Sequence, residues 1–227
     1  MCKKVVVFDL DDTLYKEIDF LKSGYRKVAE LVEKRYGVDA NEAYEQMMAW
    51  YRRGENAFEK LNEKYGIDNP IGDYLDVYRY HHPNITLTQG VSQTLDALKE
   101  AGCELAIITD GREITQRQKI EALGLEHWIL PELIFINEDK KYFKPNHWSF
   151  DRMMLACYER YPDTELKFYY VGDNTEKDFL GPDELGWISV CLEDDGRNIH
   201  KQDFGVEARC LPKYRIKNIV ALLDIIR

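Results

Sequence analysis

The 227-residue chain carries 31 Lys and Arg against 41 Asp and Glu, a formal charge of −10, with 44% hydrophobic and 12% aromatic residues. This balance excludes disorder, and no apolar run approaches the ~20 residues of a membrane span. The acidity excludes non-specific binding of nucleic acid polymers, which needs many Lys and Arg on phosphates.

At about 150 residues per domain, the length suits one large domain or one domain with an insertion. Val5-Val6-Val7-Phe8 is apolar on both faces and predicts a buried parallel strand ending at Asp9. From Tyr15 to His82 no strand is evident, and the segment reads as several helices punctuated at Gly37, Gly54, Gly66 and Pro70. Val91, Leu95 and Leu98 then predict a helix, and residues 105–108 a strand. Ile120 and Leu123 close a further helix at Gly124; residues 134–136 predict a strand, and Phe150, Met153, Met154, Cys157 and Tyr158 mark another helix. Residues 168–171 and 188–191 are the last predicted strands, and Ile216, Ile219, Val220, Leu223 and Ile226 form a stripe that predicts a closing helix. Strands alternating with helices over crossovers this long predict an α/β fold, a parallel sheet with helices on both faces. The expected division is a core of residues 1–14 and 86–227 and a helical subdomain of residues 15–85. Cys2, Cys103, Cys157, Cys191 and Cys210 are odd in number and form no C-x-x-C pair, so reduced thiols are expected rather than a zinc ribbon or disulfide framework. With no apolar leader evident, a cytoplasmic protein without membrane association is expected.

The chemistry gathers where strands end. In Phe8-Asp9-Leu10-Asp11-Asp12-Thr13-Leu14, the period of two turns Asp9 and Asp11 the same way, and two neighbouring carboxylates repel and lose solvation. Ile108-Thr109-Asp110-Gly111 leads into a helix, and a hydroxyl with backbone N–H groups at a helix N-terminus suits an anion. Lys144-Pro145 follows the third strand, with Lys140 and Lys141 as rivals for any functional role. In Gly172-Asp173-Asn174-Thr175-Glu176-Lys177-Asp178, a capping box would account for Thr175 and Asp178 but not for Asp173 at a strand tip. Asp9, Asp11, Asp173 and Asp178 would converge on one sheet edge. An all-oxygen set of this kind needs a countercharge and suits Mg²⁺ sharing a substrate phosphate.

Together D-x-D-x-T, T-D-G, K-P and G-D-x-x-x-x-D, in that order over about residues 4–195, resemble the haloacid dehalogenase-like hydrolase superfamily. The resemblance implies a Rossmann-like core with an inserted helical cap, and a Mg²⁺-dependent phosphatase. Asp9 would be the nucleophile that forms an aspartyl-phosphate. Asp11 would be the general acid and base, with neighbouring carboxylates raising its pKa so that it holds a proton. Mg²⁺ would sit on the Asp9 carboxylate, the Asp11 carbonyl and Asp173, backed by Asp178 and Asn174. Thr109, the backbone of Asp110 and Gly111, and Lys144 would hold the phosphoryl oxygens. The substrate would be a small phosphorylated metabolite, such as a nucleotide or sugar phosphate. Alternatives are a phosphomutase of the same fold and a non-enzymatic phosphate-binding regulatory module. Lys22, Lys27 and Lys34 are available as the cap lysine of a phosphonatase but read as exposed helix lysines. Arg52, Arg53, Tyr78, Arg79, His81 and His82 are the places where specificity would be sought.

Overall fold

At the centre of a six-stranded parallel sheet lies β1 (Lys3–Phe8), whose last four residues are completely buried. Each such apolar side chain contributes about 1.5–3 kcal/mol by leaving water. The computed structural model describes residues 2–226. After β1 come four helices, α1 (Glu17–Tyr36), α2 (Ala40–Arg52), α3 (Ala57–Tyr65) and α4 (Ile71–Tyr80). The chain then runs through α5 (Gln89–Glu100), β2 (Glu104–Asp110), α6 (Glu113–Ala122), β3 (Ile134–Asn137) and α7 (Trp148–Arg160). β4 (Leu166–Gly172), α8 (Leu180–Glu184), β5 (Ile188–Leu192), β6 (Tyr214–Ile216) and α9 (Leu222–Ile226) complete it.

The strand order is β3-β2-β1-β4-β5-β6. The chain therefore builds outward from β1 on one side and returns to lay β4 on the other. That reversal leaves a crevice at the carboxyl ends of β1 and β4, where doubly wound sheets bind ligands. Register sharpens the placement. Phe8 faces Ile107 on β2 and Val171 on β4, so Asp9 and Asp173 leave the sheet at the edge where Thr109, still paired with Ile136 of β3, nears the end of β2.

Helix α5 starts at Thr88, whose hydroxyl accepts from Val91 N–H, and buries Val91, Thr94, Leu95 and Leu98. The buried face of α6 is unusual, because it consists of Gln116, Lys119 and Ile120. The expected C-terminal helix is broken up. Ile216 belongs to a sixth strand, residues 219–221 make a single 3₁₀ turn, and only Leu222–Ile226 is α-helical. Of the expected stripe, Ile216, Ile219 and Ile226 are buried, Leu223 is half-buried and Val220 is exposed, while Leu222, outside the stripe, is buried in its place.

The chain folds as two compact units, Met1–Glu17 with Thr86–Arg227, and Ile18–Ile85. The second unit is wholly helical, with its breaks at the glycines and proline noted above. Its core is aromatic, with Tyr25, Phe58 and Tyr74 joined by ring contacts of 5.7 Å and Phe20 lying 5.5 Å from Tyr78. Gly24 is required there, since a Cβ would stand 2.4 Å from the Tyr78 ring. His81 is buried, its Nδ1–H donating to Tyr78 O and its Nε2 accepting from Ser23 Oγ. Lys22 and Lys27 sit in exposed ion pairs with Asp19 and Glu30. No helix among the described residues is long and apolar enough to cross a membrane.

Candidate active site

Beyond Phe8 the chain continues one residue further in the ladder, Asp9 N–H donating to Val171 O at 2.8 Å. This fixes the Asp9 carboxyl between the ends of β1 and β4. Lys144 Nζ reaches across to donate to Asp9 Oδ1 at 2.8 Å, to Asp178 Oδ1 at 2.7 Å and to the Tyr170 hydroxyl at 2.8 Å. Burial settles which lysine matters. Lys144 is buried, whereas Lys140 and Lys141 are exposed, the latter paired with Asp139. Burial disfavours the charged ammonium, but Asp178 and Asp9 override it and raise the Lys144 pKa well above its ordinary value.

Asp178 folds back over the strand end, where its Oδ2 accepts from Asp173 N–H at 3.1 Å and Asn174 N–H at 2.8 Å. This contact explains Gly172, because a Cβ at that position would lie 2.6 Å from Asp178 Oδ2. A capping box does not form: the Thr175 hydroxyl accepts instead from Asp203 N–H. Burial works to raise the Asp178 carboxyl, yet Lys144 and Lys177 with these hydrogen bonds hold it below the ordinary value.

One oxygen each of Asp9, Asp173 and Asp178 lie within 4.8 Å of one another. Asp173 is the uncompensated member. It accepts a single side-chain amide, Asn198 Nδ2 at 2.9 Å, and no ammonium or guanidinium among the described residues lies within 4.0 Å. Burial, then Asp178 and Asp9, push its carboxyl up to about 9. Burial likewise lifts Asp9 to about 6 against the pull of Lys144. A cluster this short of positive charge has the chemistry of a hard divalent-cation site. Asn174 lies at its margin, its side-chain oxygen taken by Glu176 N–H.

Asp11 is placed differently from the expectation. Lys119 Nζ binds both its oxygens at 2.7 and 3.0 Å, Gln116 Nε2 donates to Oδ2 at 2.9 Å, and the Tyr15 hydroxyl donates to Oδ1. Burial favours the neutral acid, but Lys119 and the hydrogen bonds win, so its pKa is lowered rather than raised. The neighbour that decides this is a lysine on α6, not a carboxylate.

Of the phosphoryl-binding candidates, Thr109 is buried with Oγ1 accepting from Gln116 Nε2 at 2.7 Å. Asp110 Oδ1 accepts from Asn137 Nδ2 at 2.8 Å. The Gly111 amide is already spent on Asn137 O at 2.9 Å, so it is not a free donor as the motif alone suggested. A cavity of about 220 Å³ opens beside Asp110. Six of its lining residues are acidic (Asp9, Asp11, Asp12, Glu17, Asp110 and Asp173) against two lysines, Lys144 and Lys177.

Several lining or supporting groups were not picked out from the sequence. Asp12, at φ 55°, accepts from Glu17 N–H and Ile199 N–H, each at 3.0 Å, and so ties β1 to the loop after β5. That loop supplies Asn198, which also accepts from Lys16 Nζ at 2.6 Å, and it brings His200 to the cavity. Lys177, one-third exposed, stands 3.8 Å from Asp110 Oδ2. Asp12 and Lys177 lie inside the first and last motifs, so their sequence position is itself a signal. Asn198 and His200 sit in an aperiodic loop with no comparable signal.

The sequence pattern of the haloacid dehalogenase-like hydrolases matches residues 6–190. A glyceraldehyde 3-phosphate phosphatase of Methanocaldococcus jannaschii is 26% identical, over 99% of this chain and 97% of its own. A pyrophosphatase of Halalkalibacterium halodurans is 25% identical over 97% and 95%. Among solved structures, the magnesium-bound hydrolase YfnB of Bacillus subtilis superimposes with a TM-score of 0.64 over the whole of both chains, at 19% identity.

Proposed function

This chain belongs to the haloacid dehalogenase-like hydrolase family, and from that premise we propose that it is a Mg²⁺-dependent phosphatase hydrolysing a small phosphate monoester. The observation that carries the reading is the buried trio of Asp9, Asp178 and Lys144 beside the uncompensated Asp173, with Asp9, Lys144 and Asp173 lining one cavity. Lys144 aligns Asp9 with one carboxylate oxygen pinned. Thr109 offers a hydroxyl donor to phosphoryl oxygens, and Lys144, whose three N–H groups go to Asp9, Asp178 and Tyr170, offers positive charge.

In the first half-reaction an Asp9 oxygen bonds to phosphorus. The ester P–O bond breaks, and the departing oxygen takes a proton that the substrate brings as its monoanion and that Asp11, ionised in the free site, relays. In the second, water bonds to phosphorus and gives its proton to Asp11, and the Asp9–phosphorus bond breaks. Mg²⁺, held by Asp9, Asp173 and the Asp11 carbonyl with Asp178 and Asn174 behind them, would offset the negative charge of the acid cluster and the phosphoryl group. Relatives named for glyceraldehyde 3-phosphate and pyrophosphate support a small phosphorylated substrate, and we favour a sugar or nucleotide phosphate. We assign substrate choice to the helical segment inserted between the first and second motifs.

The test is hydrolysis of 4-nitrophenyl phosphate by the purified protein. Turnover should require Mg²⁺, vanish on chelation and vanish in Asp9→Asn. Turnover that survives Asp9→Asn would remove the proposal.

A further inference from the structure

The buried face of α6 poses a physical question. A helix packed beside a sheet ordinarily turns an apolar stripe inward, yet α6 buries Gln116 and Lys119 next to Ile120. Taking an ammonium out of water costs several kcal/mol unless a charge and hydrogen bonds meet it. Here the partner is Asp11, whose two oxygens receive four hydrogen bonds from Lys119, Gln116 and Tyr15. A carboxylate only accepts, so the amide nitrogen of Gln116 must face it. That same nitrogen also reaches Thr109 Oγ1 at 2.7 Å. One amide thus spans the second acid of the first motif and the hydroxyl of the second motif.

We propose that Lys119 and Gln116 are positioning residues for the proton-transfer step, holding Asp11 at a fixed orientation and fixed spacing from Thr109. The inference rests on the phosphatase reading above and extends it to two residues outside the four motifs. Thr109 addresses the phosphoryl oxygens and Asp11 the ester oxygen on the same phosphorus, so their separation must match one substrate group. A free Asp side chain rotates about two bonds, and four hydrogen bonds on its carboxylate remove that freedom. Well-placed acid–base groups accelerate reactions by about 10²–10⁴, and a small misplacement forfeits much of this. The arrangement also explains why α6 gives up an apolar inner face.

The experiment exploits the leaving group. Nitrophenolate departs without a proton, whereas an alkoxide requires one. Wild type, Lys119→Met, Lys119→Arg, Gln116→Leu and Asp11→Asn are compared on 4-nitrophenyl phosphate and on glycerol 3-phosphate with Mg²⁺, as kcat/KM. The ratio between the two substrates does not depend on what fraction of a preparation is folded, so it separates misplacement from misfolding. We expect Lys119→Met and Gln116→Leu to lose at least about tenfold more on the alkyl ester than on the aryl ester. Lys119→Arg should recover part of that ratio. Combining Lys119→Met with Asp11→Asn should shift the ratio no further than Asp11→Asn alone.

Equal losses on both esters in the α6 variants, while Asp11→Asn keeps its selective loss, would overturn this inference and leave the phosphatase reading standing. Multiplying losses in the double variant would overturn it as well. No selective loss in Asp11→Asn itself would instead refute the acid–base role of Asp11, and the positioning role with it.

Discussion

Lys144→Met is the sharpest probe of the acid cluster. Lys144 is completely buried and pairs with Asp9 at 2.8 Å and Asp178 at 2.7 Å. Methionine keeps most of the volume but leaves two buried carboxylates without their cation. Removing one partner of a buried ionic group typically costs about 3–5 kcal/mol. Protonation caps the loss. A carboxyl that folding forces to stay neutral costs 1.36 kcal/mol for each pH unit above its unfolded value of about 3.9. For one such proton the loss is about 4 kcal/mol at pH 7 and only about 1.5 kcal/mol at pH 5. The sign follows from linkage: the folded variant binds more protons than the unfolded chain, so its stability falls as pH rises above about 4. At about 2–4 °C per kcal/mol for a chain of this size, the pH 7 deficit corresponds to a Tm drop of about 8–16 °C. Thermal melts of wild type and variant in EDTA, at pH 5 and pH 7, read this directly. A drop under about 3 °C at pH 7, or the same drop at both pH values, would refute the argument that Lys144 neutralises the cluster.

Gly172→Ala should displace Asp178, because the new Cβ would lie 2.6 Å from Oδ2; a loss of about 1–3 kcal/mol in urea unfolding is expected, with loss of phosphatase turnover. Lys177→Met removes the more exposed lysine of the cavity, 3.8 Å from Asp110. At about 1.5 kcal/mol for a charge-assisted contact to substrate, KM should rise about tenfold with kcat changed far less, measured by steady-state kinetics. Burial holds the His81 imidazole below its ordinary pKa. The unfolded chain therefore binds the proton first, and stability should fall as pH drops through about 6.5 and level off below the lowered native value. Melts from pH 7.5 to 5 should show that fall as a narrowing difference between wild type and His81→Gln, because Asp9 and Asp173, held above their ordinary values, slope the other way in both proteins.

Much of this molecule was legible in short windows of sequence. The run from Val5 to Phe8 dictates a doubly buried strand because no polar atom interrupts either face, and four further short, largely apolar runs mark strands. The side chains at strand tips were legible too, since a parallel sheet delivers the residue after each strand to one edge. Asp9 and Asp173 need only that rule. The glycines and Pro70 punctuated the helical segment, because a break in the helix requires either a special φ or a missing donor.

Other features depended on residues far apart in the chain. Three lysines near residue 140 were chemically equivalent until burial singled out Lys144. The stripe from Ile216 to Ile226 has helical spacing, but pairing of Tyr214–Ile216 with β5 overrode it, a choice no local pattern records. Asp11 was recognisable as a functional acid while its protonation was not. The group that lowers its pKa, Lys119, is 108 positions away and becomes its neighbour only when α6 lies beside the sheet. Local sequence thus determined which residues reach the sheet edge, because strand direction and period are short-range properties. The tertiary structure decided their charge states and partners, because electrostatics in a buried cleft depends on distance through space rather than along the chain.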